Sequence, residues 1–154
     1  MTEFHVAHFN RGYLRGPFGS AEIEPFESAI DTVNSVAQRS PGYIRNVDVD
    51  PEEARRAFFP ADAALDRIAA TLSVWDDPHR LADFALRTIH GSFLKRRGEW
   101  FEVMEGPAYV VWPIPAGHVP TLAEAKLAYE RLKTSGPSDA AFDFKWLGPS
   151  PGGT

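Results

Sequence analysis

The stretch RTIHGSFLKRRGEWF, residues 87–101, brings together a histidine, three consecutive cations and two aromatic residues. Read as a helix, it places His90, Phe93 or Leu94, Arg97 and Phe101 along one stripe, with Lys95, Arg96 and Glu99 off it. Such a stripe faces a sheet, which turns His90 inward among apolar groups. A neutral imidazole there gives one proton and takes another near neutral pH. That equips it as a general base toward an acidic phenol or enol, or as an axial haem ligand. On the residues alone the plainer reading is favoured, a histidine hydrogen-bonded in a core or at a helix break before Gly91. Arg97 suits a clamp on a carboxylate or phenolate, or a plain ion pair with Glu99 or Glu102. Lys95 and Arg96 read as solvated.

The remaining candidates are dispersed. His118, in Ala116-Gly117-His118-Val119-Pro120, either holds its loop or serves as a second ligand or proton relay; Gly117 and Pro120 fix a turn and favour the first role. His8, on a strand, is expected to face a pocket with Phe4, while His5 faces the helices. His79 sits in a first helical turn and reads as exposed. Trp75, Phe93, Tyr109 and Trp112 are candidate pocket walls, although core or dimer contacts use aromatic residues in the same way. Five scattered histidines make a preformed metal site unexpected. Ser92-Phe93-Leu94-Lys95 matches S-x-x-K without its companion motifs. H-E-x-x-H, the P-loop and the dinucleotide fingerprint are absent from the sequence, as is the G-x-S-x-G elbow.

Composition bounds the function classes. The 154 residues suit one domain with a real core, and the net charge of −5 disfavours a nucleic-acid partner. The chain has no cysteine, which removes disulfides, thiolate nucleophiles and cysteine-ligated metals. Long apolar runs are missing, and MTEFHVAHFNRGYL lacks the apolar core of a signal peptide, so a cytoplasmic location and no membrane partner are expected.

The elements that must position these residues follow from pattern. Residues 3–9 alternate as a strand, with Phe4, Val6 and His8 on one face and His5, Ala7 and Phe9 on the other. RGYLRGPFGS reads as a loop. Pro25 opens a helix carrying Phe26, Ile30, Val33 and Ala37 at helical spacing. YIRNVDV (43–49) is a second strand, and Asp50-Pro51 starts a helical insert around 50–66. RIAATLSVW (67–75) is a third strand. Asp77-Pro78 starts another helix, AYVVWPIP (108–115) is a fourth strand, and Thr121-x-x-Glu124 is a capping box. AFDFKWL (141–147) reads as a last short strand. This order predicts an α+β ferredoxin-like βαββαβ sandwich with helices on one sheet face. The other face, apolar and bare, calls for a sheet-on-sheet homodimer.

The residues LSVWDDPHRLADFALRTIHGSFLKRRGEWF, VVWPIPAGHVPTLAEA and SGPSDAAFDF, with HVAHFNRGYL and RSPGYI, resemble a bacterial family known only as a domain of unknown function. The family sits in the dimeric α+β barrel superfamily, alongside the antibiotic-biosynthesis monooxygenases. The frame W-x5-L-x-x-F followed by H-x3-L-x-R-R-x-x-W-F, from Trp75 to Phe101, is its most specific part. The resemblance implies a pocket in each protomer, used across the superfamily for cofactor-independent oxygenation, haem chemistry, isomerisation, cyclisation or binding alone. Segment 50–66 departs from the pattern; over a pocket mouth it would select the ligand.

The expected function is therefore a monooxygenase-like tailoring enzyme for a hydrophobic aromatic or polyketide-like molecule. His90 acts as base and Arg97 as anion clamp; His8, Trp75, Phe93, Trp112 and His118 line the substrate. No cofactor is required, unless haem binds through His90 or His118. A non-catalytic ligand-binding dimer is the remaining alternative.

Overall fold

The computed structural model describes residues 3–87 and 95–149. Its centre is a four-stranded antiparallel sheet of β1 (Phe4–Tyr13), β2 (Tyr43–Val47), β3 (Ile68–Trp75) and β4 (Tyr109–Pro115). The strand order is β2-β3-β1-β4, the ferredoxin-like order that the pattern predicts. β1 pairs with β3 through His8 opposite Ser73 and with β4 through His8 opposite Val111, which fixes what shares its face.

Period-two alternation sorts the sheet into two faces. Ala7, Phe9, Leu72, Val74, Val110 and Trp112 point one way; Val6, His8, Asn10, Ser73, Trp75 and Tyr109 point the other. Helix α1 (Glu24–Arg39) and α3 (Pro78–Arg87) lie against the second face. The first face, expected to be bare, is covered by the chain itself. Helix α2 (Pro51–Phe58) and α5 (Leu122–Ser135) pack on it through Ala54, Phe58, Leu122, Ala125 and Tyr129. Phe58 stacks on Phe9 at 4.3 Å and meets Tyr129 edge-on at 5.5 Å. Burying that one ring contributes roughly 1.5–3 kcal/mol. The insert therefore closes the outer face and does not lie over the inner one; of its residues only Pro51, next to Val49 before it, reaches the inner cavity. The argument for a sheet-on-sheet partner on that face loses its premise here, because α2 and α5 of the same chain cover it.

Three local expectations also change. β1 continues through Asn10-Arg11-Gly12-Tyr13, because Gly12 lets the Phe101 ring lie against the strand; a Cβ there would stand 2.4 Å from ring carbons. Residues 141–147 form no regular strand: Phe142 makes an isolated bridge to Val111, and Asp143 caps the one-turn helix α6 (Phe144–Leu147) by accepting from the Trp146 amide at 2.8 Å. Helix α4 (Arg97–Trp100) is short, and Phe101 leaves it extended (φ −115°, ψ 143°) to bridge Leu14. The caps read from sequence hold at Asp77, whose Oδ1 accepts from His79 and Arg80, and at Thr121, whose Oγ1 accepts from Glu124. Asp50 stands at the start of α2 but its side chain makes no cap bond.

Candidate ligand cavity

α1 is amphipathic over its whole length, yet none of its 16 residues is fully buried. Phe26, Ile30, Val33 and Ala37 turn toward the sheet and stay half-buried. What lies between them and the strands is a cavity of about 840 Å³. Pockets of this size accept drug-sized ligands. The roof is the apolar face of α1, and Phe84, Ala85 and Leu86 of α3 form a side wall.

The floor is the inner sheet face. Trp75 is 1% exposed, stacks on Phe84 at 5.2 Å and meets Tyr43 edge-on at 5.5 Å. Its indole N–H donates to Ser73 Oγ at 3.1 Å, which leaves the serine hydroxyl free to donate in turn. Thr71 Oγ1 donates to Asn10 Oδ1 at 2.9 Å. His8, Asn10, Thr71 and Ser73 make a polar stripe across an otherwise apolar floor. His8 is buried, edge-on to Tyr109 at 5.6 Å and tilted against Phe144 at 5.8 Å. The Tyr109 hydroxyl accepts from the Phe144 amide at 2.9 Å. Burial pushes that phenol above its ordinary range; the Phe144 bond opposes the shift and Asp143 adds to it. Tyr109 is thus a neutral donor at physiological pH.

One end of the cavity is lined by Arg97 and by Arg11, whose guanidinium turns to the outer-face groups Phe58 and Tyr129. Arg97 is half-buried, donates from Nη2 to the Arg11 carbonyl at 3.2 Å, and rests over the Phe101 ring at 4.7 Å. Burial, and then the charge of Arg11, lower its pKa, although a guanidinium stays charged at neutral pH. Arg11 is 6% exposed. It donates to the carbonyls of Phe58 (2.9 Å), Glu105 and Pro107 (3.3 Å) and to the Tyr129 hydroxyl (2.7 Å). These bonds tie the insert, the loop before β4 and α5 to one buried charge. The acids expected to neutralise Arg97 are engaged elsewhere: Glu99 with Arg96 at 2.9 Å, Glu102 with Arg67 at 3.5 Å.

The sequence-derived candidates divide. His8, Trp75 and Arg97 meet on the cavity, with Tyr109 beside them. Trp112 does not: its position on β4 turns it to the outer face, where it packs in the core with α5. His118 does not either; its side chain is 43% exposed and its Nε2 sits 2.8 Å from Glu124 Oε1, in the loop-holding role. A haem in this cavity cannot take His118 as its axial ligand. Phe4, paired in expectation with His8, is 58% exposed at the strand end. His90 and Phe93 lie outside the described residues. Asn10, Thr71, Ser73 and Phe144 were missed. Period-two alternation from His8, and pairing with 67–75, carries the signal for the first three; a strand read as ending at Phe9 hides Asn10 and Arg11. Among the described residues no group of three histidine or acidic side chains is placed to hold a metal, and no helix is long and apolar enough to cross a membrane.

The family model described as Domain of unknown function (DUF3291) matches residues 5–154. A comparison with curated proteins returns no match. Among solved structures, a putative antibiotic biosynthesis monooxygenase from Nitrosomonas europaea is similar at 11% identity and a TM-score of 0.46, over 77% of this chain and 93% of that one. SnoaB, a cofactor-independent oxygenase from Streptomyces nogalater, is similar at 15% identity and a TM-score of 0.43, over 77% and 96%. The protein PA3566 from Pseudomonas aeruginosa is similar at 8% identity and a TM-score of 0.47, over 78% and 99%.

Proposed function

We propose that this chain, which belongs to the family Domain of unknown function (DUF3291), is a cytoplasmic small-molecule tailoring enzyme with monooxygenase-like chemistry. Its substrate is a hydrophobic aromatic or polyketide-like molecule held between α1 and the sheet. The observation that supports this most is the unfilled space itself: about 840 Å³ between an apolar roof and a floor with one polar stripe. A purely structural helix closes on its sheet, because empty apolar volume forfeits dispersion contacts.

In this reading Trp75 and Phe84, stacked on each other, form one wall against the rings of the substrate, and His8 with Ser73 orients its oxygen atoms. His90 is the base, and Arg97 is the anion clamp. A base that removes a proton next to a carbonyl leaves a carbanion, which can pass electrons to dioxygen without a cofactor. Apolar walls keep water from quenching it. A homodimer is the assembly this fold class suggests; since α2 and α5 cover the outer face, it forms through another surface.

Anthrone is a suitable probe. Its methylene carbon is oxidised to a carbonyl, one oxygen atom of O2 entering the product and the other leaving as water with the two methylene hydrogens. The reading expects oxygen uptake matched one-to-one by anthraquinone, falling on the order of a hundredfold or more in His90→Ala. A pH–rate profile for that variant indistinguishable from wild type removes His90 from the mechanism. Tight anthrone binding without uptake favours the non-catalytic carrier, and a Soret band on adding haemin favours the haem protein.

A further inference from the structure

We infer that the site takes an amphipathic monoanion, with its apolar body in the large cavity and its carboxylate in a side pocket behind Arg97. This rests on the large cavity being the ligand site. The side pocket measures about 240 Å³ and is walled by Gly98, Val103, Met104 and Gly106. It shares Arg11, Arg97, Phe101 and Ala108 with the large cavity, so the two spaces meet at these four residues.

The charge balance at that junction is incomplete. Among the described residues no carboxylate lies within ion-pair distance of Arg11 or Arg97. Glu102, the acid on the side-pocket wall, is 3.5 Å from Arg67 and half in solvent. Glu105 contributes only its backbone carbonyl to Arg11. Arg97, half-buried, thus feels the charge of Arg11 with no acid beside it to offset that charge, and an uncompensated, partly buried cation is costly.

The two arginines differ in what they can still do. Arg11 has its donors taken up by carbonyls, the Tyr129 hydroxyl and, more loosely, Met104 Sδ at 3.8 Å. It acts as a fixed charge. Arg97 gives one bond to the Arg11 carbonyl and, of its five N–H groups, keeps the rest of the fork for a ligand. One available fork backed by one fixed charge suits a planar carboxylate, which a guanidinium grips bidentately. The volumes agree: the side pocket has room for a carboxylate and a short linker, and the large cavity for rings or an acyl chain.

The test pairs 2-naphthoate with its neutral analogue 2-acetylnaphthalene, titrated into the full-length protein by calorimetry. The expected result is roughly tenfold or more preference for naphthoate, collapsing toward one in Arg97→Gln and partly restored in Arg97→Lys. Thermal unfolding of each variant confirms that it is folded. Equal affinities for the two probes in wild type overturn the carboxylate assignment while leaving the cavity as a ligand site. Binding of neither at millimolar concentration overturns both.

Discussion

Arg97 Nη2 donates to the backbone carbonyl of Arg11 across 3.2 Å, joining the short helix α4 to the middle strand region of β1. Through that bond a residue from the far side of the chain is held at the same end of the cavity as the buried Arg11. The relationship makes Arg11 a structural keystone and Arg97 the group with donors to spare.

Arg11→Met should destabilise the fold by about 2–4 kcal/mol, since three carbonyls and a tyrosine hydroxyl lose their donor inside the core. Urea unfolding at unchanged m-value checks this. A loss below about 0.5 kcal/mol would show that water replaces the guanidinium without cost.

Gly12→Ala should cost about 1–3 kcal/mol, because its Cβ meets the Phe101 ring at 2.4 Å. Phe101→Leu in the same chain should recover part of that loss, so the double-mutant cycle is non-additive.

Val33→Phe, on the roof of the cavity, should fill space at little strain and raise stability by about 0.5–1 kcal/mol. The same change should weaken 2-naphthoate at least about tenfold by occupying its volume. Thermal shift and calorimetry on one preparation read both.

His118→Ala should change stability by less than about 1 kcal/mol, as expected for an exposed pair, and leave naphthoate affinity at the wild-type value. A large loss of affinity would place His118 in the ligand site despite its distance from the cavity.

Tyr109 gives the pH dependence. Its phenol has a raised pKa in the folded chain, with burial as the main cause. Its contribution is fully present below the unfolded value of about 10 and is lost as pH climbs through the folded value. Stability should therefore fall above pH 10 by a component that Tyr109→Phe lacks. The variant itself should cost about 1 kcal/mol at neutral pH, because the Phe144 amide loses its acceptor.

The strand order and part of the inner face, at His8 and Trp75, were legible because period-two alternation and helix caps are local signals. Asp77 and Thr121 cap their helices through the bonds the spacing implies. The outer face was not legible. The insert PEEARRAF reads from sequence as a helix start after Asp50, with no sign of the surface it packs on; that its Ala54 and Phe58 seal the sheet is a long-range fact. Trp112 illustrates the same limit. Its alternation with Val111 is plain, but which of the two faces holds the cavity depends on how far α1 stands from the strands. Arg11 was hidden because an arginine in a loop-like Asn-Arg-Gly run gives no hint that carbonyls from two distant segments and a tyrosine hydroxyl from a third converge on it.

The claim that the space under α1 is the ligand site is tested most directly by amide chemical-shift mapping with 2-naphthoate. The account predicts shifts concentrated at 29–38 on α1, at 69–75 on β3 and around Arg97. Shifts confined to 54–58 and 122–132 on the outer face, or none at saturating ligand, would contradict it.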